Sequence, residues 1–413
     1  MKREKKWGIY SALALLACTL ILILGTTSLA APAIPSGLKQ LDASRIAVQI
    51  QWSEVAGTNI RYEVQVSVDQ TDWQNVTTGT SNTEYSQSGL SAGKTYYFRV
   101  RSYASASSSD RSAWSVVLTT VTAPDNLNGT SLNQSNAGAT SATLRWDAVP
   151  GATSYAVFLV ENGVETGLVA QPTTNSLTIS KLSKKRAYDY SVFPIRSVGS
   201  VSAIGGGAEV RHVRTTPPKV SGVKGLYGEL GKSPKYAILS KVNVGWNRHG
   251  AYNGYFLTDG YEIKAYKKGK KAVSTTTVDA RADSAVISKI KKGGFYRIKI
   301  RAYVQLSSGK KYGAWSEIWL ANNTSTKSSY NANANSLTIS WGKVSGATGY
   351  TVYRALGYSG KYKKVMTTKK GQSYTMKNVK RWQTYRFYVV ANKKVKKKTY
   401  KSVTNRMLSV YVR

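Results

Sequence analysis

Cysteine and histidine are nearly absent from this sequence. Its 413 residues include one cysteine, Cys18, and two histidines, His212 and His249. A chain with one thiol forms no internal disulfide and no thiolate zinc site. Neither histidine has a cysteine or carboxylate at the spacing of a metal site or a catalytic triad. We therefore predict a protein that is not an enzyme, with no catalytic residue, no metal site and no cofactor.

Proline and phenylalanine are also scarce, with nine and six residues respectively. Tyrosine (28 residues), tryptophan (10) and glycine (35) are well represented instead. After the first 30 residues we find no pattern that predicts a helix longer than one turn. Many short strands joined by tight turns are typical of this composition, and the sequence predicts an all-β fold.

The first 30 residues have the pattern of a signal peptide. A basic start precedes an apolar run from about Ala12 to Leu24, and Ser28-Leu29-Ala30 supplies the small residues of a cleavage site. We expect cleavage after Ala30 and a secreted, extracellular protein that is associated with the cell surface. An uncleaved anchor is one alternative, because the run approaches the length of a membrane span. Lipidation at Cys18 is another.

A pattern of about 95 residues recurs through the rest of the chain. Four alternating segments each end in a tryptophan, and the tryptophans are 94, 100 and 95 residues apart: Trp52, Trp146, Trp246 and Trp341. Each is followed by a second alternating segment that begins with a tyrosine: Tyr62, Tyr155, Tyr261 and Tyr350. Alternation at a period of two residues predicts strands with one buried face.

A third landmark is an aliphatic residue six positions before another tyrosine. The pairs are Leu90 and Tyr96, Leu182 and Tyr188, Ile290 and Tyr296, and Val379 and Tyr385. Together the landmarks resemble the fibronectin type III family, whose sandwiches have a core tryptophan and a tyrosine corner. The motif Gly346-Ala347-Thr348-Gly349-Tyr350 is similar to motifs in repeats of secreted Gram-positive bacterial proteins. No Arg-Gly-Asp triplet occurs, so integrin binding is not implied.

The resemblance implies four tandem seven-stranded β-sandwiches after the signal peptide. Proline and turn signals predict their boundaries. They are repeat 1 (32–122), repeat 2 (123–216), repeat 3 (217–321) and repeat 4 (322–413).

Positive charge rises steeply along these repeats. Repeat 1 has seven Lys and Arg and seven Asp and Glu, and repeat 2 has eight and six. Repeat 3 has 20 cationic and six acidic residues, and repeat 4 has 20 and none. Because solubility requires only a modest net charge, this excess of positive charge predicts an anionic partner. The partner that we favour is an anionic cell-wall polymer or a sulfated glycan. Nucleic acid and anionic lipid are alternatives, although we expect no specific nucleic acid and membrane contact only through an uncleaved signal.

Strand order predicts where the lysines meet. Alternating strands bring turns of repeat 3 and turns of repeat 4 to the junction between these repeats. The candidate polyanion-binding residues are Lys267, Lys268, Lys270, Lys271, Lys289, Lys291, Lys292, Lys369, Lys370, Lys393, Lys394, Lys396, Lys397 and Lys398. Trp382, which has no counterpart in the other repeats, is the candidate aromatic surface contact.

Three aromatic or acidic segments have simpler interpretations. Trp114 and Trp315 occur in similar contexts near the last strand, which favours packing over ligand binding. The segment Asp69–Trp73 lacks the glycine and the glutamate of a calcium loop and indicates a hairpin turn.

The sequence thus predicts an exported binding or scaffolding protein that is held by its basic repeats. Repeats 1 and 2 would present a face for an unknown protein or glycan. A carbohydrate-binding accessory of an extracellular glycan-degrading system and a host adhesin are the alternatives.

Overall fold

The computed structural model describes residues 31–104, 110–226, 242–267, 269–291, 293–322, 326–358, 361–402 and 408–413. The predicted signal peptide lies outside these residues. The chain divides into two compact units. One holds most of repeat 1, with Ala47–Leu90 and Thr95–Thr120, and the other includes Val121–Arg413.

Repeat 1 is a sandwich of a three-stranded and a four-stranded sheet, ordered β1-β2-β5 and β4-β3-β6-β7. The strands are β1 (Lys39–Ala43), β2 (Ala47–Gln51), β3 (Ile60–Ser67), β4 (Gln74–Thr80), β5 (Glu84–Ser88), β6 (Thr95–Ala104) and β7 (Leu118–Val121). Alternate residues of β2 and β6 are buried, so Ile50 from one sheet meets Phe98 and Val64 from the other in a single core. The alternating pattern in the sequence thus produces the sandwich.

Repeat 2 follows the same plan with an extra segment. Its strands are β8 (Asn133–Ala137), β9 (Ala142–Arg145), β10 (Ser154–Glu161), β11 (Val164–Ala170), β12 (Ser176–Ile179), β13 (Tyr188–Val198), β14 (Val201–Ile204) and β15 (Ala208–Val213). The sheets are β12-β9-β8 and β11-β10-β13-β14, with β15 also paired to β13.

Repeat 3 adds a small hairpin. Its strands are β16 (Ser221–Gly225), β17 (Val242–Asn247), β18 (Ala251–Tyr252), β19 (Tyr255–Phe256), β20 (Gly260–Tyr266), β21 (Ser274–Asp279), β22 (Ser284–Ile287), β23 (Gly294–Leu306), β24 (Gly309–Tyr312) and β25 (Ser316–Asn322). The main sheets are β16-β17-β22 and β21-β20-β23-β24, with β25 also on β23, and β18 pairs with β19.

Repeat 4 is built in the same way. Its strands are β26 (Thr326–Asn331), β27 (Ser336–Trp341), β28 (Gly349–Leu356), β29 (Lys363–Thr368), β30 (Ser373–Lys377), β31 (Gln383–Val395), β32 (Lys398–Lys401) and β33 (Leu408–Val412). The sheets are β26-β27-β30 and β29-β28-β31-β32, with β33 also on β31.

The last strand is divided in two in repeats 2, 3 and 4, which differs from the seven strands expected. In repeat 4, β32 pairs with the far half of β31 and β33 with its near half. The long β31 therefore extends past the core as a hairpin with β32. Repeat 3 has the same arrangement in β23 and β24. This extension carries much of the candidate site in repeat 4.

The tryptophan and tyrosine landmarks form one contact that recurs four times. In repeat 1 the rings of Trp52 and Tyr62 meet edge to face with centroids 5.4 Å apart. The Tyr62 hydroxyl accepts a hydrogen bond from the Val55 backbone N–H at 2.8 Å. Equivalent pairs are Trp146 with Tyr155, Trp246 with Tyr261, and Trp341 with Tyr350. Each pair anchors the strand that follows the tryptophan to the core.

The tyrosine corner is confirmed in repeats 2, 3 and 4. The hydroxyls of Tyr188, Tyr296 and Tyr385 each accept a hydrogen bond from a backbone N–H five residues upstream, at 2.8, 3.1 and 3.0 Å. This bond fixes the turn before the longest strand. In the last two repeats the donors are the backbone N–H groups of Lys291 and Lys380, so in repeat 3 the corner also orients one candidate binding residue, Lys291.

The described residues contain strands and turns but no helix of sufficient length and hydrophobicity to cross a bilayer. The all-β prediction is confirmed for these residues, while the repeat boundaries stay a prediction. The core of repeat 4 includes Phe295 and Ala321, which the predicted boundaries assign to repeat 3. Neighbouring cores are therefore in closer contact than the sequence landmarks indicated.

Candidate functional site

Most candidate lysines lie exposed in or beside four turns. The exposed residues are Lys267, Lys270, Lys271, Lys289, Lys291, Lys369, Lys370, Lys394, Lys396, Lys397 and Lys398. The first three follow β20, the next two lie between β22 and β23, and the next two lie between β29 and β30. The remaining four belong to the β31–β32 hairpin. Lys268 and Lys292 lie outside the described residues.

The junction of repeats 3 and 4 is held by backbone hydrogen bonds. Ser345 donates its N–H to the Gly293 carbonyl at 2.8 Å, and Phe295 donates to the Ser345 carbonyl at 3.0 Å. Gly294 and Ser345 form an isolated parallel bridge. The turn before β23 thus docks directly against the loop before β28.

Two candidate lysines lie beside this contact, one in each repeat. In repeat 3 the Lys267 side chain lies beside Gly294. Its Cε is 4.0 Å from the position that a Cβ atom on Gly294 would occupy. Lys393 from repeat 4 donates its ammonium group to the Gly346 carbonyl at 3.1 Å. The junction therefore has one lysine side chain on each side. Convergence of the whole set stays a prediction.

Lys393 has a structural role that the sequence did not reveal. Its ammonium lies 4.4 Å from the centre of the Trp319 ring and 5.8 Å from that of Phe295, and its side chain is partly buried. Such cation–π contacts contribute about 0.5–1 kcal/mol at exposed sites. Lys393 therefore ties β31 to the end of repeat 3, and it is a poor position for a test of ligand binding.

The β31–β32 hairpin leans against repeat 3 through a tyrosine. Tyr400 of β32 packs against the cores of both repeat 3 and repeat 4. Lys398 lies 5.2 Å above the Tyr400 ring. At the hairpin tip, Lys396 adopts a positive φ of 53°, as a tight two-residue turn requires. The hairpin is thus anchored at its base and presents Lys394, Lys396 and Lys397 to solvent.

Other cationic side chains of repeat 3 pack against the aromatic rings of Tyr312 and Trp315. Arg301 lies 3.4 Å from the Tyr312 ring centre and 4.2 Å from that of Trp315, and Lys264 and Lys299 also approach Trp315 within 6 Å. The Arg301 guanidinium also pairs with Glu262 at 2.7 Å. Repeat 1 has a similar stack of Arg99 and Arg101 on Trp114. These contacts support the packing interpretation of both tryptophans.

Trp382 lies in the turn directly before β31, at the end of repeat 4 opposite the junction. Its side chain is 68% exposed. Its φ is +64°, a value that bulky residues rarely adopt. The structure therefore places it away from the candidate lysines, as a separate surface feature.

The two histidines lie apart. His212 stacks on Tyr255 with ring centroids 3.4 Å apart, and its Nδ1 is 3.7 Å from Asp189. His249 donates its backbone N–H to the Tyr261 hydroxyl at 2.7 Å, and burial lowers the pKa of its ring. The spacing of residues in the sequence could not indicate that Asp189 lies near His212, because the pairing of β13 with β15 brings the two residues together.

A cleft of about 420 Å³ lies beside His212, between repeats 2 and 3. Arg214 and Asp259 in its wall form two parallel hydrogen bonds of 3.0 Å with each other. The Asp279 carboxylate accepts the backbone N–H of Arg281 at 2.8 Å. The Arg214–Asp259 pair already holds the two repeats together, which favours a structural role for the cleft. Within the described residues, no three His, Cys, Asp or Glu side chains are grouped to hold a metal ion.

Asp69 has the turn role expected from the sequence. Its Oδ1 accepts the backbone N–H groups of Thr71 at 2.8 Å and Asp72 at 3.0 Å, and a hydroxyl from Ser67 at 3.0 Å. These bonds hold the pKa of the Asp69 carboxyl well below its usual range. The carboxylate oxygen is thus engaged in closing the turn after β3.

Comparison with curated proteins gives two relatives of distant similarity. Chitinase A1 of Niallia circulans is 28% identical over 211 residues, which cover 46% of this chain and 27% of that protein. Exoglucanase B of Cellulomonas fimi is 26% identical over 263 residues, which cover 61% of this chain and 23% of that protein. The chain therefore spans about a quarter of the length of these relatives.

Two solved structures have detectable similarity at 18% identity. The match to the FN1–FN3 domains of chicken CNTN1 covers 70% of this chain and 98% of that structure, with a TM-score of 0.31. A two-domain fibronectin type III segment of chicken tenascin covers 44% of this chain and 99% of that structure, with a TM-score of 0.26.

The family comparison concerns repeat 1. Residues 33–118 match the family model of the fibronectin type III domain. The same residues contain the Trp52–Tyr62 pair and the two sheets β1-β2-β5 and β4-β3-β6-β7 around one core. Residues 33–118 therefore match this family in sequence and form a sandwich of two sheets.

Proposed function

We propose that this protein is a non-catalytic, extracellular binding or scaffolding protein of secreted Gram-positive bacterial type. Its basic repeats 3 and 4 retain it on an anionic polymer of the cell surface. Repeats 1 and 2 present a second face to a protein or a glycan. The observation that carries the proposal is the exposed lysine hairpin β31–β32, in a repeat with 20 cationic residues and no acidic one.

Electrostatics supports an anionic partner for this hairpin. Four of its lysines are exposed within five consecutive positions, and no acidic residue follows Glu317 in the sequence. Like charges at this spacing repel one another, and a bound polyanion relieves that repulsion. Each lysine held near an anionic surface contributes about 1 kcal/mol, so about six contacts would give useful retention.

The relatives favour an extracellular setting and one alternative function. Chitinase A1 and Exoglucanase B are named as enzymes that act on polysaccharides. A carbohydrate-binding accessory role in a glycan-degrading system is therefore the second candidate. It would require binding of a neutral glycan, whereas the first candidate requires an anionic polymer that contacts the lysine turns.

The proposal predicts a steep dependence of binding on salt. The full chain is titrated with purified teichoic acid over a salt series, with neutral soluble cellulose as the control polymer. If about six lysines displace counterions, affinity should fall about 10³-fold between about 50 and 200 mM salt, as for other polyanions. Affinity that does not change with salt, or equal affinity for cellulose, would contradict the proposal and favour the accessory role.

A further inference from the structure

The end of repeat 4 opposite the junction gathers exposed apolar side chains. In the described part of this repeat, four large hydrophobic residues are exposed: Leu356 (48%), Tyr358 (77%), Trp382 (68%) and Tyr411 (53%). All four border the first residues of β31. Leu356 is paired with Tyr385 and Tyr411 with Thr384, while Trp382 directly precedes the strand.

A turn closes this group from the side. Gly357 donates its N–H to the Thr384 carbonyl at 2.8 Å, which brings the β28–β29 turn and Tyr358 beside β31. The exposed rings therefore come from three separate turns or strands that meet at one end of the sandwich. Single exposed apolar residues are ordinary, but a group confined to one end indicates a contact surface.

Cations surround these rings. The Arg386 guanidinium lies 5.3 Å from the Tyr362 ring centre and 5.9 Å from that of Tyr358. Lys380 and Arg381 are exposed directly before Trp382. Because repeat 4 has no acidic residue, the surface combines flat aromatic rings with positive charge of one sign.

The backbone at Trp382 argues against docking of a further sandwich in the way seen at the junction. Gly293 occupies the same position in repeat 3, three residues before the corner tyrosine, with a φ of +75°. Its carbonyl accepts the Ser345 N–H when repeat 4 docks. Trp382 keeps the left-handed conformation but replaces the glycine with a large exposed ring. Strained residues of this kind occur preferentially at ligand sites.

We propose that this surface, which we call the aromatic end, binds the sugar rings of an anionic polysaccharide. The C–H faces of pyranose rings are apolar and stack on Trp382 and Tyr358. The acidic groups of the polymer meet Arg381 and Arg386. The inference rests on the proposed function, because it assumes an anionic polymer, and it specifies that the polymer is a polysaccharide recognised through its rings.

The test compares a polyanion with sugar rings, heparin, and one without them, polyphosphate. The variant is Trp382→Gly in the full chain, since glycine adopts the positive φ without strain and keeps the turn. Val286→Ala removes an exposed apolar side chain of repeat 3 as the control. We expect Trp382→Gly to weaken heparin binding by about two- to tenfold, the effect of losing one well-stacked ring, with polyphosphate binding unchanged.

Each other outcome has a definite meaning. Unchanged heparin binding by Trp382→Gly overturns the aromatic end as a sugar site, while intact polyphosphate binding leaves the proposed function standing. An equal loss for both polymers also overturns it, because ring stacking would then not be involved. An unmodified chain that binds neither polymer overturns both proposals.

Discussion

Reversal of four lysines on the β31–β32 hairpin should reduce the affinity for an anionic wall polymer about a thousandfold. The changes are Lys394→Glu, Lys396→Glu, Lys397→Glu and Lys398→Glu. All four side chains are exposed, and the hairpin is anchored by Tyr400, so the fold should persist. Four contacts of about 1 kcal/mol each correspond to about 4 kcal/mol, or roughly three orders of magnitude in affinity. Lys393 is left unchanged because it holds Gly346 and Trp319.

A matched variant separates a local site from total charge. Lys219→Glu, Lys224→Glu, Lys327→Glu and Lys377→Glu change the net charge equally at exposed positions in or beside the three-stranded sheets. Their effect should stay below about tenfold, because physiological salt screens charges beyond about 8 Å. Equal losses in the two variants, measured by elution from immobilised polymer, would mean that net charge alone governs retention.

The largest stability effect is expected from Phe98→Ala in repeat 1. Phe98 is fully buried and packs with Val64 and Ile50. Removing a buried phenylalanine costs about 3–5 kcal/mol, a large fraction of the stability of one domain. The calorimetric transition of repeat 1 should move to much lower temperature or disappear. Phe98→Leu preserves most of the volume and should cost less than about 1.5 kcal/mol.

The same experiment tests the independence of the two compact units. Because the core around Phe98 is formed by residues of repeat 1, transitions of the other unit should keep their temperatures. Phe387→Ala, in the core of repeat 4, should produce the reverse pattern. A single transition that both variants shift together would show that the units unfold as one.

Local patterns in the sequence were sufficient to predict the strands and their buried faces. The alternation of apolar residues around Trp52 and Tyr62 predicts pleated strands with one buried face. The hydrogen bond from the Lys380 N–H to the Tyr385 hydroxyl follows from the fixed spacing of five residues between them. The placement of the lysine clusters in turns follows for the same reason. Hydrophobic residues must alternate inward, so runs such as Lys396–Lys398 can only lie where the strand ends.

Contacts between distant segments could not be predicted in this way. Lys393 packs on Trp319 of the preceding repeat, and Arg301 stacks between Tyr312 and Trp315. In the aromatic end, Tyr358, Trp382 and Tyr411 come from three segments that border the start of β31. Each contact depends on strand register and on packing across a junction, and neither leaves a short-range pattern in the sequence.

Amine-reactive footprinting with mass spectrometry is the most direct test of the central claim. The full chain is labelled with and without teichoic acid, and the modification of each lysine is compared. We predict strong protection at Lys369, Lys370, Lys394, Lys396 and Lys397, and little change at Lys39 and Lys94 of repeat 1. Similar protection of Lys219, Lys327 and the junction lysines would contradict a defined site, and protection confined to repeat 1 would contradict the account altogether.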